Sequence, residues 1–123
     1  MLNRWRLAVT IVFIASVYYM FKSTTNELYR ITFTVYGRVQ GVYFRKYTLE
    51  YAQSIHLRGY VKNTIEGTVV GEAEGLLSDI QQFKHFLEFK GSPSSNIEKL
   101  ESDIVKIDAY GYDDFTIIRK SRK

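Results

Sequence analysis

Apolar and polar side chains alternate in the region where the folded part of the chain begins. Between Tyr29 and Tyr36 every second residue is apolar, namely Ile31, Phe33 and Val35. This period of two predicts a β-strand with one buried face. From Phe44 to Ile55 apolar residues instead recur every three or four positions, which predicts a helix that lies on a sheet. The chain therefore opens with a strand, a short loop and a helix.

The same patterns continue to the end of the chain. They predict four further strands, at residues 57–64, 68–74, 96–108 and 115–119. A second helix lies between them, with Ser78 and Gln81 spaced as in a helix cap and Gly91 as its end. With right-handed crossovers, this order predicts an α+β sandwich of the ferredoxin-like βαββαβ type. Its sheet is mostly antiparallel, and two helices cover one face.

Length and composition indicate one domain. The chain has 123 residues, is 46% hydrophobic and contains a single Pro, so it can bury one modest core. We expect residues 28–119 to form that domain, with an apolar segment at 1–22, a linker at 23–27 and a basic tail at 120–123. Without Cys there is no disulfide or thiolate site, and two separated His make a zinc site improbable.

The net charge of +4 is concentrated at the ends of the chain. Residues 23–118 hold ten basic and thirteen acidic residues, a net of −3, so the folded body is not basic. RNA-recognition modules share the predicted strand order but need exposed aromatic residues on the middle strands. The strand at 68–74 has no aromatic residue and two acids. Both observations argue against a nucleic-acid partner.

Residues 7–21 form an uncharged, largely apolar run flanked by Arg6 and Lys22. As a helix this run would span roughly 22 Å, less than the ~30 Å of a hydrocarbon core. We favour a membrane anchor or signal-anchor, which would associate the protein with a membrane through residues 7–21. A cleaved signal peptide and an organelle-targeting segment are the alternatives. Arg4 and Arg6 would keep the N-terminus cytosolic and place the domain across the membrane.

The loop from Gly37 to Arg45 is the strongest candidate for a binding site. Its two glycines permit backbone angles that bring several N–H groups toward one point, at the positive end of the following helix. Arg45 adds a planar fork of donors that matches phosphate oxygens. The loop is therefore predicted to bind a phosphate-like anion.

Two motifs together resemble the acylphosphatase family: Val42-Tyr43-Phe44-Arg45 and Gly59-Tyr60-Val61-Lys62-Asn63. The resemblance runs from about Leu28 to Arg119. It implies an enzyme that hydrolyses acyl phosphates without a metal or cofactor, with Arg45 and Asn63 as catalytic residues. The implied phosphate-binding loop comprises Arg38, Val39, Gln40, Gly41, Val42, Tyr43 and Phe44.

The resemblance also implies partners and a location. Substrates would be small acyl phosphates or acyl-phosphorylated proteins, and inorganic phosphate would be product and inhibitor. It implies a cytoplasmic monomer, which conflicts with a domain placed across a membrane.

The residue types in the two motifs fit this chemistry. Neither arginine nor asparagine is a useful general base near neutral pH, and no nucleophile lies in either motif. An acyl phosphate needs neither, because its carboxylate leaving group has a conjugate-acid pKa of about 4 and departs without protonation. The alternative is a non-catalytic anion-binding or membrane-tethered adaptor domain on the same fold.

Overall fold

The computed structural model describes residue 14 and residues 27–119. The predicted anchor, linker and basic tail lie outside these residues, apart from positions 14 and 27. Within the described part of the chain, no helix combines the length and apolarity needed to cross a bilayer.

Five strands and two helices follow one another in the predicted order. They are β1 (Leu28–Arg38), α1 (Phe44–Ser54), β2 (Arg58–Asn63), β3 (Val69–Leu76), α2 (Leu77–His85), β4 (Asn96–Ile107) and β5 (Phe115–Ile117). The strands form one sheet in the order β4-β1-β3-β2-β5. All neighbours are antiparallel except β2 and β5, which are parallel. This confirms the predicted α+β, ferredoxin-like fold with a mostly antiparallel sheet.

The alternating residues of β1 point into the core between sheet and helices. Ile31, Phe33 and Val35 are fully buried, because residues two apart on a strand share a face. Phe83 of α2 makes edge-on contacts with Phe33 and Phe115, at ring-centroid distances of 5.6 and 5.9 Å. These contacts join α2 to the centre and to one edge of the sheet.

The start of α2 differs from the prediction. Ser78 was expected to cap this helix, but the helix begins at Leu77, the capping position is Leu76, and no side chain makes a capping hydrogen bond. The reason is that β3 passes directly into α2, so no loop separates the two elements. The end is as predicted, after a π-helical turn (Phe86–Lys90): the Gly91 N–H donates to the Phe86 carbonyl at 3.0 Å and Gly91 has a φ of +60°.

The predicted loop begins later than the sequence suggested. Gly37 and Arg38 still belong to β1 and pair with Ile97 and Asn96, after a register shift at Tyr36. Gly37 has a φ of +124°, and a Cβ there would lie 2.1 Å from the Asn96 carbonyl oxygen. Gly37 is therefore required for the close approach of β4, and Gly41 is the glycine of the loop proper.

Strand direction gathers the candidate residues at one end of the sheet. β1 and β2 are both antiparallel to β3, so they run in the same direction, and β5 runs parallel to β2. The carboxyl ends of β1, β2 and β5 therefore lie at the same end of the sheet, where α1 also begins.

Candidate active site

A cleft of about 620 Å³ opens at the end of the sheet where β1, β2 and β5 have their carboxyl ends. Three groups of residues line it: Val39, Gly41, Tyr43 and Phe44 from the loop, Arg45, Lys46 and Leu49 from α1, and Asn63, Ile117 and Arg119 from the strand ends. A second hollow of about 540 Å³ adjoins it, lined by Gln40, Arg45, Asn63, Thr64, Ile65 and Arg119. The fold thus brings Arg45 and Asn63, 18 positions apart in the chain, into one site.

The loop offers unpaired main-chain donors to the cleft. Within residues 27–119, no N–H group from Val39 to Lys46 donates to a main-chain carbonyl. Gly41 and Tyr43 have φ values of +73° and +61°, and left-handed residues of this kind turn successive N–H groups toward one side. The first hydrogen bond of α1 runs from the Tyr47 N–H to the Tyr43 carbonyl, at 3.1 Å. The loop and the positive end of α1 therefore suit an anion.

Tyr43 adopts this backbone conformation at a cost, because a side chain with a Cβ rarely takes a positive φ. Its ring is 74% exposed at the mouth of the cleft, so burial of the ring does not offset the cost. Strained residues of this kind concentrate at ligand sites. The strain agrees with a loop shaped for a ligand.

Gln40 connects the loop to the turn that follows Asn63. Its Nε2 donates to the Thr64 carbonyl at 2.8 Å and to the Thr68 carbonyl at 2.9 Å. The turn is itself closed by the Thr64 N–H, which donates to the Thr68 carbonyl at 3.0 Å. Both amide hydrogens of Gln40 are thus engaged, and the side chain positions the loop.

Asn63 lines the cleft and carries a buried acceptor without a partner. It is the last residue of β2, opposite Val69 of β3, and its Oδ1 is buried without a hydrogen-bond partner among the described residues. A buried carbonyl oxygen without a partner is unfavourable unless water or a ligand supplies a donor. Because Oδ1 itself is buried, a water molecule in the cleft meets Asn63 through the atoms of this residue that line the cleft.

The charged residues that line the site are all basic. Arg45, Lys46 and Arg119 line it, and no Asp, Glu, His or Cys is among the described lining residues. The salt bridges between described residues involve Arg30, Lys99 and Lys106, and none involves a cation of the cleft. The cleft is positively charged and lacks a group that titrates near neutral pH.

The structure divides the predicted site residues into two sets. Arg45, Asn63, Gln40 and four loop residues line the cleft or the second hollow. Arg38, at the end of β1, and Val42, which packs in the core, line neither. Within the described residues no group of three or more His, Asp and Glu side chains is placed to hold a metal ion.

Arg119 is a charged lining residue that the sequence analysis did not assign to the site. It follows β5, a strand of three residues, and in the sequence it was only the last residue of the predicted strand 115–119, before the basic tail. The parallel pairing of β5 with β2 could have indicated its position, but that pairing is not readable from the sequence of β5.

The segment that carries this site matches a known family. The family model described as Acylphosphatase matches residues 31–117. The chain belongs to the acylphosphatase family. Among curated members, human Acylphosphatase-1 is 39% identical over 98 residues, which cover 76% of this chain and 96% of the human protein. Drosophila melanogaster Acylphosphatase-1 is 43% identical over 94 residues, covering 76% of this chain and 78% of that protein.

Solved acylphosphatase structures have the same fold. The crystal structure of acylphosphatase from Bacillus subtilis superposes with a TM-score of 0.69 at 32% identity, covering 73% of this chain and 98% of that chain. The resemblance inferred from the two motifs is thereby confirmed.

Proposed function

We propose that this chain hydrolyses acyl phosphates to a carboxylate and inorganic phosphate. Family membership supports this activity. The observation that supports the proposal is the shared cleft, which is lined by Arg45, Asn63 and residues of a loop whose N–H groups donate to no main-chain carbonyl.

The phosphoryl group is held by main-chain and side-chain donors. The N–H groups of the loop and the first turn of α1 receive its oxygens, and the Arg45 guanidinium binds two of them side by side. The same donors stabilise the charge on the equatorial oxygens in the transition state. We assign binding to this loop and to Arg45.

Asn63 holds the attacking water. Its side-chain amide hydrogen-bonds the water and aims a water lone pair at phosphorus, and Asn63 lines the cleft as this role requires. The water oxygen bonds to phosphorus as the bond from phosphorus to the acyl oxygen breaks, and the electron pair stays on the departing carboxylate. A phosphate oxygen of the substrate takes the proton from the water.

The residues of the cleft favour an acyl phosphate over a phosphate ester. An ester expels an alkoxide and needs a general acid, and the described lining residues contain no carboxyl or imidazole group. A carboxylate leaving group needs none.

The test is turnover of benzoyl phosphate by the full-length protein, in the presence and absence of a chelator. We expect chelator-insensitive turnover and competitive inhibition by inorganic phosphate. Arg45→Gln should lower kcat/KM by about 10³-fold, and Asn63→Ala should lower kcat by about 10²-fold or more. Lys62→Gln, next to Asn63 but on the exposed side of the strand, is the matched control and should stay within twofold of wild type.

Thermal melting shows whether each variant is folded. Wild-type activity retained in folded Arg45→Gln and Asn63→Ala would contradict the site assignment. A wild-type protein that binds phosphate but does not turn over benzoyl phosphate would favour a non-catalytic anion-binding or membrane-tethered domain.

Three expectations about the cellular role stay proposals. Acyl-phosphorylated proteins are a second substrate class, because the cleft is open and Tyr43 is exposed at its mouth. A monomeric, cytoplasmic enzyme is what the family resemblance implies. Attachment to a membrane through residues 7–21 stays a prediction from the sequence, since that run lies outside the described residues except for residue 14.

A further inference from the structure

Arg119 follows β5, the strand that lies next to the strand of Asn63. β5 pairs in parallel with β2, with Ile117 opposite Val61, and the Ile118 N–H donates to the Val61 carbonyl at 2.9 Å. Asn63 ends β2 two residues after Val61, and Arg119 follows two residues after Ile117, the last residue of β5. Both residues line the cleft that residues of α1 also line.

The cleft and the second hollow share three lining residues: Arg45, Asn63 and Arg119. Arg45 comes from the first turn of α1, and Arg119 comes from the strand end across the cleft. The two arginines therefore come from different elements and line the same space together with Asn63.

Arg119 has no counterion among the described residues. None of the salt bridges within residues 27–119 includes it, and no Asp or Glu lines either cavity. Arg45, Lys46 and Arg119 share a cleft without an acid and repel one another, and a bound anion reduces that repulsion. The chemistry that fits is a phosphoryl group carrying close to two negative charges.

We propose that Arg119 is a second side-chain ligand of the phosphoryl group, approaching from the strand that holds the water. This inference rests on the proposed function. Arg45 and the loop amides bind oxygens on one side, and Arg119 binds an oxygen on the Asn63 side. Charge developing on the equatorial oxygens then meets donors on both sides, as it does where a second arginine completes a phosphoryl-transfer site.

The test compares binding of inorganic phosphate to full-length wild type, Arg119→Gln and Arg119→Lys by calorimetry at low ionic strength. Removing one charge-assisted ligand should weaken phosphate binding about tenfold, and Arg119→Lys should recover part of the loss. The difference should shrink as salt is added. Lys62→Gln removes the same charge from a neighbouring exposed position that lines neither cavity, and should bind within twofold of wild type.

Equal phosphate affinity of wild type and Arg119→Gln would overturn the proposal, as would the absence of phosphate binding to wild type. A loss seen only with an acyl phosphate that carries a second carboxylate, such as succinyl phosphate, would also overturn it by placing Arg119 on the acyl group. Binding is measured without turnover, so failure of the proposed hydrolysis is recognised separately, with benzoyl phosphate and wild type.

Discussion

Gln40 shows how a single side chain can set the distance between the two halves of the site. Its amide bridges the phosphate-binding loop and the turn after Asn63 through two hydrogen bonds, at 2.8 and 2.9 Å. The loop carries the donors for phosphate, and the strand before the turn carries the residue for water. Their separation is therefore fixed by Gln40.

Replacing Gln40 with Met keeps the length of the side chain but removes both donors. We expect kcat for benzoyl phosphate to fall about tenfold, because misplacing the water relative to phosphorus slows an in-line attack. Two lost hydrogen bonds should lower the free energy of unfolding by about 2 kcal/mol. Steady-state kinetics and denaturant unfolding measure the two effects.

Gln81→Met is the matched control, since Gln81 lies exposed on α2, away from the cleft. If Gln40→Met and Gln81→Met keep the same kcat, Gln40 does not position the loop.

The residue types of the site were readable in the sequence, but their contacts were not. Arg45 and Asn63 stood out because a guanidinium and an amide at these places fit phosphate and water. Gln40 stood out only as a loop residue. Its partners, Thr64 and Thr68, lie more than 20 positions away and approach it only after β1, β2 and β3 have paired.

At the scale of elements, Glu74 fastens the connection between β4 and β5. Its carboxylate is fully buried on β3 and accepts hydrogen bonds from Arg30 Nε at 2.9 Å and from the N–H groups of Gly111 and Tyr112 at 2.8 and 3.2 Å. The last two donors belong to the segment that leads into β5. Glu74 therefore helps to hold the strand that presents Arg119.

Arg30→Met should leave the buried Glu74 carboxylate without its cationic partner. We expect a loss of about 3 kcal/mol in the free energy of unfolding, because a buried charge deprived of its partner is strongly unfavourable. Lys99→Met breaks the exposed pair with Glu101 and should have a much smaller effect, because solvent screens an exposed ion pair. Urea unfolding of both variants measures the difference, and equal losses would show that Glu74 does not depend on Arg30.

Predictions of elements succeeded where a pattern spans many residues and failed at single boundaries. The alternation in β1 and the helical spacing in α1 each predict a continuous buried face, because the apolar residues of that face recur regularly in the sequence. The prediction of Ser78 as a helix cap was wrong. It relied on a serine three residues before a glutamine, whereas the start of α2 depends on where β3 stops pairing with β1. That stop is set by the partner strand.

At the scale of the whole molecule, a tyrosine on the face of the sheet that the helices leave uncovered makes the stability of the fold depend on pH above about pH 10. The Tyr112 hydroxyl donates a hydrogen bond to the Glu72 carboxylate, and the two rings of Tyr60 and Tyr112 lie 5.8 Å apart. Burial, followed by the hydrogen bond to Glu72, raises the pKa of Tyr112 to about 12. The folded protein therefore holds this proton more tightly than the unfolded chain, in which the pKa is about 10.

We expect Tyr112 to stabilise the fold fully below pH 10 and to lose this contribution as the pH rises from 10 to 12. In that window the unfolded chain binds fewer protons, so stability falls with pH. The urea midpoint of Tyr112→Phe should approach that of wild type as the pH rises from 8 to 11. Tyr47→Phe alters a ring on α1 and leaves Tyr112 in place, so its urea midpoint should change with pH as the wild-type midpoint does. An unchanged gap between wild type and Tyr112→Phe would refute the assignment.

The sequence by itself determined the alternating face of β1, the spacing of α1, the glycine-containing loop, and the pair of Arg45 and Asn63. These are local properties, since a short stretch of sequence shows which face of an element is apolar and which chemical groups its side chains carry. Only the tertiary structure decided that β5 lies parallel to β2 and carries Arg119 to the cleft, that Gln40 reaches the turn after Asn63, and that Gly37 serves β4. A strand of three residues does not specify its partner. The partner is chosen by the sheet and helices that the rest of the chain has already packed together.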